Sequence, residues 1–367
     1  MSLPPADAPD SSPPPPDGPV DPPRDVSSDA PSFVAEVGAG VGAGRELRAS
    51  DLGSPVGSPA EPHAVRPPVV RRRRVRLPLM LFIATCLSTF WVGAADWKPM
   101  ERLATWPTVF QTVQENWPQG LQYMGAVLAI LLTHEMGHFV MTLRRKIPAS
   151  YPLCIPVPFN PIGTMGAVIG MEGLRANRRE IFDIGIAGPL AGLVVAAPIL
   201  WVGVGRLDLT TPAAPGEIQL NSPLLVKWMI EARQPETLRA VGEHRADWIG
   251  ISQVNAYFMA GWVGMLVTGL NMLPISQLDG GHTIYGLFGR EAQTYARGFL
   301  VIAITYVVIN LDQAAVWAPM LVLVILMGVD HPPTSDDTKE LGPFRRALGF
   351  ASLAIPVVCF PLLGLRQ

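Results

Sequence analysis

The chain has 367 residues, 49% of them apolar and only 16% charged, with a formal net charge of -2 and a mean hydropathy of +0.29. That balance disfavours a soluble globular protein and points to a membrane protein. Lys and Arg gather at the edges of apolar runs, so the net charge names no partner, and three scattered cysteines, Cys86, Cys154 and Cys359, argue against a disulfide framework or a cysteine-ligated zinc site.

Residues 1–68 hold sixteen of the 38 prolines, with Asp, Ser, Ala and Gly and almost no large apolar side chains. This composition predicts a disordered Pro-rich cytoplasmic tail that serves as a tether. Its Asp residues argue against an organelle transit peptide, and it lacks the short apolar stretch of a secretory signal. Arg71 to Arg74 and Arg76 stand directly before the apolar run Leu79 to Ala95, which the positive-inside rule reads as the cytoplasmic flank of a first transmembrane helix. At a membrane boundary that reading outweighs nucleic-acid binding.

Further spans are predicted over 121–143, 181–205, 254–273, 298–311, 316–328 and 347–365. They are helical because a bilayer offers unpaired backbone groups nothing to bond to. The two around 300–328 are short, and stand either as separate helices or as one broken unit. Pro148 to Glu172 stays apolar but is too interrupted by Pro and Gly for one helix, and reads as a re-entrant loop or short β-hairpin. The expected fold class is an all-α polytopic membrane protein with about six to seven transmembrane helices, that loop or hairpin between spans two and three, and the disordered tail. Followed from a cytoplasmic start, span two returns at Arg144-Arg145-Lys146, and span four returns to leave Asn271 to His282 on the side where His138 lies.

His134-Glu135-Met136-Gly137-His138 lies within span two. A charged group at a span's centre costs about 2.5–3.5 kcal/mol on insertion scales, so such residues face a cavity or an ion. Positions i and i+4 share a helix face, which lets both imidazoles address one metal with Glu135 beside them. Two neutral imidazoles and a carboxylate suit zinc, whose fourth position takes water. Glu135 is then the general base for attack on a carbonyl. A third ligand is required, and Asp279 is the candidate: Pro274 ends or kinks span four, and Gly280-Gly281 let backbone pass close to a site. On local sequence alone, Asp279 reads as a turn residue before glycines. Asp183 is read as a helix N-terminal charge, and Gly185, Gly188 and Gly192 as permitting close helix packing. His282 is a loop residue or a support for the metal ligands, and His331 a turn residue beside Pro332.

His134-Glu135-x-x-His138 in a span, followed by Asn271-x-x-Pro274 and Leu278-Asp279-Gly280, resembles the site-two protease family of intramembrane zinc metallopeptidases. Gly163-Thr164-Met165-Gly166 and Phe182 to Gly192 are similar to that family's intervening segments. The resemblance implies one zinc ion on His134, His138 and Asp279, with Glu135 as base. It also implies that Asn271 contacts substrate or an oxyanion, and that Gly163, Thr164 and Gly166 lie in a strand that pairs with unwound substrate. Many relatives carry a PDZ domain in an extracytoplasmic loop; loop 206–250 is too short for one. Val329-Asp330-His331-Pro332-Pro333 resembles the tail of the PDZ-lacking branch.

The expected segments are 1–68 for the tail, 69–120 for the first helix and flanks, 121–340 for the peptidase core and 341–367 for a C-terminal transmembrane helix. The partners expected are a transmembrane protein substrate and the lipid bilayer, with no nucleic acid. The expected setting is a bacterial cytoplasmic membrane with the site open to the cytoplasm, in regulated intramembrane proteolysis. Rival readings are a catalytically inactive relative acting in binding or quality control, and a metal transporter. The transporter would continue its ionisable groups across the membrane, and spans three, five and six offer almost none.

Overall fold

The computed structural model describes residues 75–275 and 277–366. The tail expected over 1–68 and the flank Arg71 to Arg74 lie outside them. The first helix, α1 (Arg76–Ala94), buries Thr85, Ser88 and Thr89. Thr85 and Thr89 donate to the carbonyls of Leu81 and Thr85, both at 2.8 Å, which satisfies hydroxyls at membrane depth. A single turn, α2 (Pro99–Arg102), leads to α3 (Trp106–Arg145), 40 residues long. Helix α3 begins fifteen residues before the apolar stretch that suggested it, because Thr105 caps the Thr108 amide at 3.4 Å and Pro107 presets the first turn. It ends on Lys146 at φ 57° with Arg144 and Arg145 in the last turn, where cations favour the helix dipole. At 1.5 Å per residue, His138 sits about 10 Å and His134 about 16 Å from that basic end.

Strands β1 (Leu153–Val157) and β2 (Gly163–Val168) form an antiparallel hairpin, Leu153 opposite Val168 and Val157 opposite Gly163, with an irregularity between Cys154 and Pro156. It packs on α1, where Ser88 Oγ donates to the Gly163 carbonyl at 2.5 Å, and Tyr123 Oη of α3 holds the Ile162 carbonyl at 2.7 Å. Residues 148–172 thus contain the expected hairpin. Helix α4 (Arg178–Val204) starts at an Asn177–Glu180 capping box. The segment after it folds into β3 (Gln219–Asn221), α5 (Leu224–Arg233), α6 (Pro235–Val241) and β4 (Trp248–Gly250).

Helix α7 (Ala256–Asn271) is apolar on every side and packed against α3 and α4, as a helix without a polar face must be. The helix ends at Asn271, and the chain resumes helical form as α8 (Asp279–Phe288). Gly280 makes the break possible, since a Cβ there would overlap the Met272 and Leu273 carbonyls. Then come α9 (Ala292–Ile309), the turn α10 (Leu311–Ala314) and α11 (Ala318–Met327), so the two short spans are separate helices.

Residues 347–365, expected as one span, instead form α12 (Pro343–Ser352), α13 (Ala354–Cys359) and β5 (Leu365–Arg366). Pro356 cannot donate to the Ser352 carbonyl and its ring crowds it, so the helix breaks there. Strand β5 completes a three-stranded sheet in the order β4-β3-β5. Among the described residues four helical runs are long and apolar enough to cross a bilayer, Arg76–Ala94, Trp106–Arg145, Arg178–Val204 and Asp279–Ile309, while Leu311–Met327 and the 16-residue α7 are shorter.

Candidate metal centre

His134 and His138, one turn apart on α3, bring their Nε2 atoms within 3.2 Å of each other. Asp279, first residue of α8, sets Oδ2 at 3.2 Å from the first and 3.3 Å from the second. A tetrahedral ion with bonds of 2.0–2.1 Å spaces its ligand atoms by about 3.3 Å, the edge length of this triangle. One of the two imidazoles is oriented by a main-chain bond. His138 Nδ1 donates to the Ile184 carbonyl at 2.8 Å, which leaves its Nε2 lone pair directed at the other two ligand atoms. Two imidazole lone pairs and a carboxylate converging at that distance repel unless a metal ion or a proton lies between them. The group suits zinc.

Helix α4 supplies the room. A Cβ at Gly188 would fall on the His138 ring, one at Gly192 would come within 3.1 Å of His134 Nδ1, and one at Gly185 within 2.7 Å of His282 Cβ. The glycines expected to permit close helix packing do so with imidazoles as the packed groups. Asp183, at the sixth position of α4, is no first-turn dipole charge; it accepts from Arg145 of α3 and from Arg345 Nε of α12 at 2.6 Å. This clamp joins the ends of three helices within two turns of the metal ligands.

Glu135 is 7% exposed and, with Asn271, borders the same cavity of about 240 Å³ as the three ligands. Asn271 Nδ2 lies 3.3 Å from His134 Nε2, carried there because α7 ends at this residue. Five of the residues singled out in the sequence, His134, Glu135, His138, Asn271 and Asp279, therefore meet in one place. Gly163, Thr164 and Gly166 do not. They are buried in the hairpin, Gly163 against Ser88 and Thr89 of α1, and Thr164 Oγ1 bonded to the Ile155 carbonyl at 2.9 Å and the Gly166 amide at 3.0 Å. The hairpin residues on the cavity wall are Ala167, Val168 and Ile169. Sequence reasoning also missed Gln277 at the cavity and the Ile184 carbonyl behind His138. A main-chain acceptor carries no residue-type signal, whereas Gln277, two positions before Asp279, was within reach of the motif.

A sequence profile described as Peptidase family M50 matches residues 122–310, a range that contains all five residues. The chain belongs to peptidase family M50. Among its relatives, the protein described as "Probable zinc metalloprotease EGY1, chloroplastic" from Oryza sativa is 30% identical over 234 residues, 63% of this chain and 39% of that one. Its Arabidopsis thaliana counterpart is 30% identical over 244 residues, 64% and 42% of the two chains. "Probable zinc metalloprotease EGY2, chloroplastic" from Arabidopsis thaliana is 24% identical over 200 residues, 54% and 34%. The chain thus matches about two fifths of the length of the first two relatives. No solved structure matches it significantly. These relatives are chloroplastic by description, so they give the expected bacterial membrane no support; the membrane-spanning helices do make this an integral membrane protein.

Proposed function

We propose that this chain is an intramembrane zinc endopeptidase that hydrolyses a peptide bond in or near the transmembrane helix of another protein. The observation that carries the reading is the convergence of two imidazoles, one carboxylate and Glu135 on a single cavity inside the helical bundle. Bound there, zinc supplies Lewis-acid polarisation of the scissile carbonyl and brings the pKa of water to about 7. His134, His138 and Asp279 hold the ion, and His138 is oriented by its bond to Ile184. Glu135 takes the proton of the attacking water and returns it to the leaving amine. The Asn271 amide stands by His134, where it can donate to the carbonyl oxygen as negative charge develops.

A helical substrate shields its peptide bonds within its own turns, so it must unwind before attack. One edge of β2 is paired with β1, and among the described residues no strand pairs with the other. Ala167 to Ile169 border the cavity from β2 and its end, which supports substrate pairing by β-addition here, a few residues beyond Gly163, Thr164 and Gly166. Thr142, in the last turn of α3, lines the cavity, and Arg144, Arg145 and Lys146 follow it directly, which supports a site near the cytoplasmic face by the positive-inside rule. Release of a membrane-tethered regulator is the biological role that fits such a cut.

The test compares wild type with Glu135→Gln, both purified and loaded with zinc, on a single-span substrate. Equal zinc in both proteins and cleavage by wild type alone, with the variant down at least about a hundredfold, is the expected outcome. Equal cleavage by the two would remove Glu135 from the reaction. Zinc uptake into vesicles without cleavage would favour a transporter.

A further inference from the structure

His282, three residues beyond Asp279, borders the metal cavity but takes no part in the chemistry above. On its other side lies a second chamber of about 290 Å³. Ile169, Met171, Gln277 and His282 border both spaces and so form the neck between them. A peptide extended along the open edge of β2 passes Val168 and reaches this neck next. The chamber beyond is walled by Leu174 and Ile181 on one side and by His331-Pro332-Pro333 on the other.

The hydrogen bonds behind His282 determine which of its nitrogens carries the proton. The Pro332 carbonyl can only accept, so His331 Nδ1, 2.6 Å away, is the protonated nitrogen of that ring. His331 is 7% exposed and its burial lowers its pKa, which keeps the ring neutral and its Nε2 bare. His282 Nδ1, 2.7 Å from that bare nitrogen, therefore donates. The lone pair of a neutral His282 is then on Nε2, the ring nitrogen not engaged by His331. Tyr285 stacks on His331 with centroids 4.1 Å apart and planes 15° apart, and donates its hydroxyl to Asp337 at 2.8 Å, which holds the relay rigid.

We infer that the second chamber is a peptide-binding subsite for the extended substrate segment on one side of the scissile bond, where His282 Nε2 accepts one substrate backbone N–H. His331 is a positioning residue that keeps that nitrogen bare. This rests on the proteolytic reading of the neighbouring cavity. An unwound peptide at membrane depth must find a partner for every N–H it frees. Pairing with an antiparallel edge satisfies only alternate ones, and an acceptor across the neck serves one of the rest. The mixed lining, with Leu174, Ile181, Pro332 and Pro333 beside Gln277, His282 and His331, suits a segment that presents apolar side chains together with unpaired backbone groups.

The experiment uses the full chain carrying Glu135→Gln, zinc-loaded in lipid nanodiscs, and measures the Kd of a fluorescent single-span peptide. A series of analogues replaces one peptide N–H at a time by an ester oxygen near the scissile bond. At one position the ester should weaken binding roughly two- to tenfold, the worth of one neutral hydrogen bond. Adding His282→Ala should abolish that difference at that position alone, His331→Phe should do the same, and His331→Gln, which keeps an acceptor for His282 Nδ1, should restore it. Zinc content should stay constant throughout. An ester penalty that is the same with and without His282 at every position overturns the inference, as does loss of zinc from His282→Ala. Because the readout is affinity, failure of wild type to cleave would defeat the proteolytic reading while leaving this result to stand or fall alone.

Discussion

The His138 imidazole occupies the space that a side chain at Gly188 would need. Cores do not absorb a methyl group without moving something, and here the movable group is a metal ligand. Gly188→Ala should therefore weaken zinc at least about tenfold, the scale seen when a ligand loses its orienting contacts. Gly125→Ala, also within a membrane-spanning helix but with open space around its Cβ, should leave zinc unchanged. Zinc titration of both variants checks this, and equal affinities would mean that α4 yields instead of the ring. Asp183 gives a second residue-scale prediction. It is buried and faces two arginines, so Asp183→Ala leaves Arg145 and Arg345 without their shared carboxylate. Breaking a buried pair costs about 3–5 kcal/mol, and the partial exposure of both arginines brings the expected loss towards the lower end. A denaturation midpoint in mild detergent that does not fall would show that water replaces the carboxylate.

At the scale of elements, legibility in the sequence followed the range of the interaction. The pair His134 and His138 could be read because one helical turn dictates their geometry, and the hairpin over 153–168 because its Pro and Gly exclude a helix. Asp279 was legible only through resemblance: locally it is a turn residue, and what makes it a ligand is a break 145 positions away from His134. The sheet β4-β3-β5 left no trace, since its strands are two or three residues long and Gln219 pairs with Arg366, 147 positions away. Hydropathy likewise cannot distinguish one C-terminal span from the end of α12, α13 and a strand, because residues 347–365 carry no charged side chain. Beside that sheet, the Lys227–Asp247 ion pair at 2.6 Å links α5 to the start of β4. Burial pushes the Asp247 carboxyl up, but Lys227 outweighs it and holds the pKa below the ordinary value. A depressed carboxylate stabilises above its unfolded pKa and ceases to do so as pH falls through the folded one. Hydrogen exchange in β3 and β4 should thus be steady, after correction for intrinsic rates, from pH 8 to about 5, and protection should fall below about pH 4. Asp247→Asn should remove the change.

For the molecule as a whole, the metal joins halves that the backbone connects only through 140 intervening residues. His134 and His138 belong to α3, which is fixed by α1, α4 and α7. Asp279 stands at the start of α8, just after an irregular stretch held by short-range bonds such as Ile275 N–H to the Leu273 carbonyl at 2.8 Å. Without zinc, a proton on one imidazole can still bond the carboxylate, but it ties Asp279 to one ring at a time where the ion ties it to both, and the segment best able to yield is the break itself. A ligand that binds only the folded state stabilises it by about 2.7 kcal/mol at a hundred times its Kd, and the gain should be largest where the joint is weakest. Chelation should therefore raise exchange most over Met272 to Leu278 and the first turn of α8, while the middle of α7, buried between α3 and α4, changes little. Readdition of zinc should reverse the effect, and Asp279→Ala should be insensitive to both treatments. Uniform deprotection across α7 and α8 would instead make the ion a global staple, and protection unchanged at the break would mean that Asp279 is held in place without it.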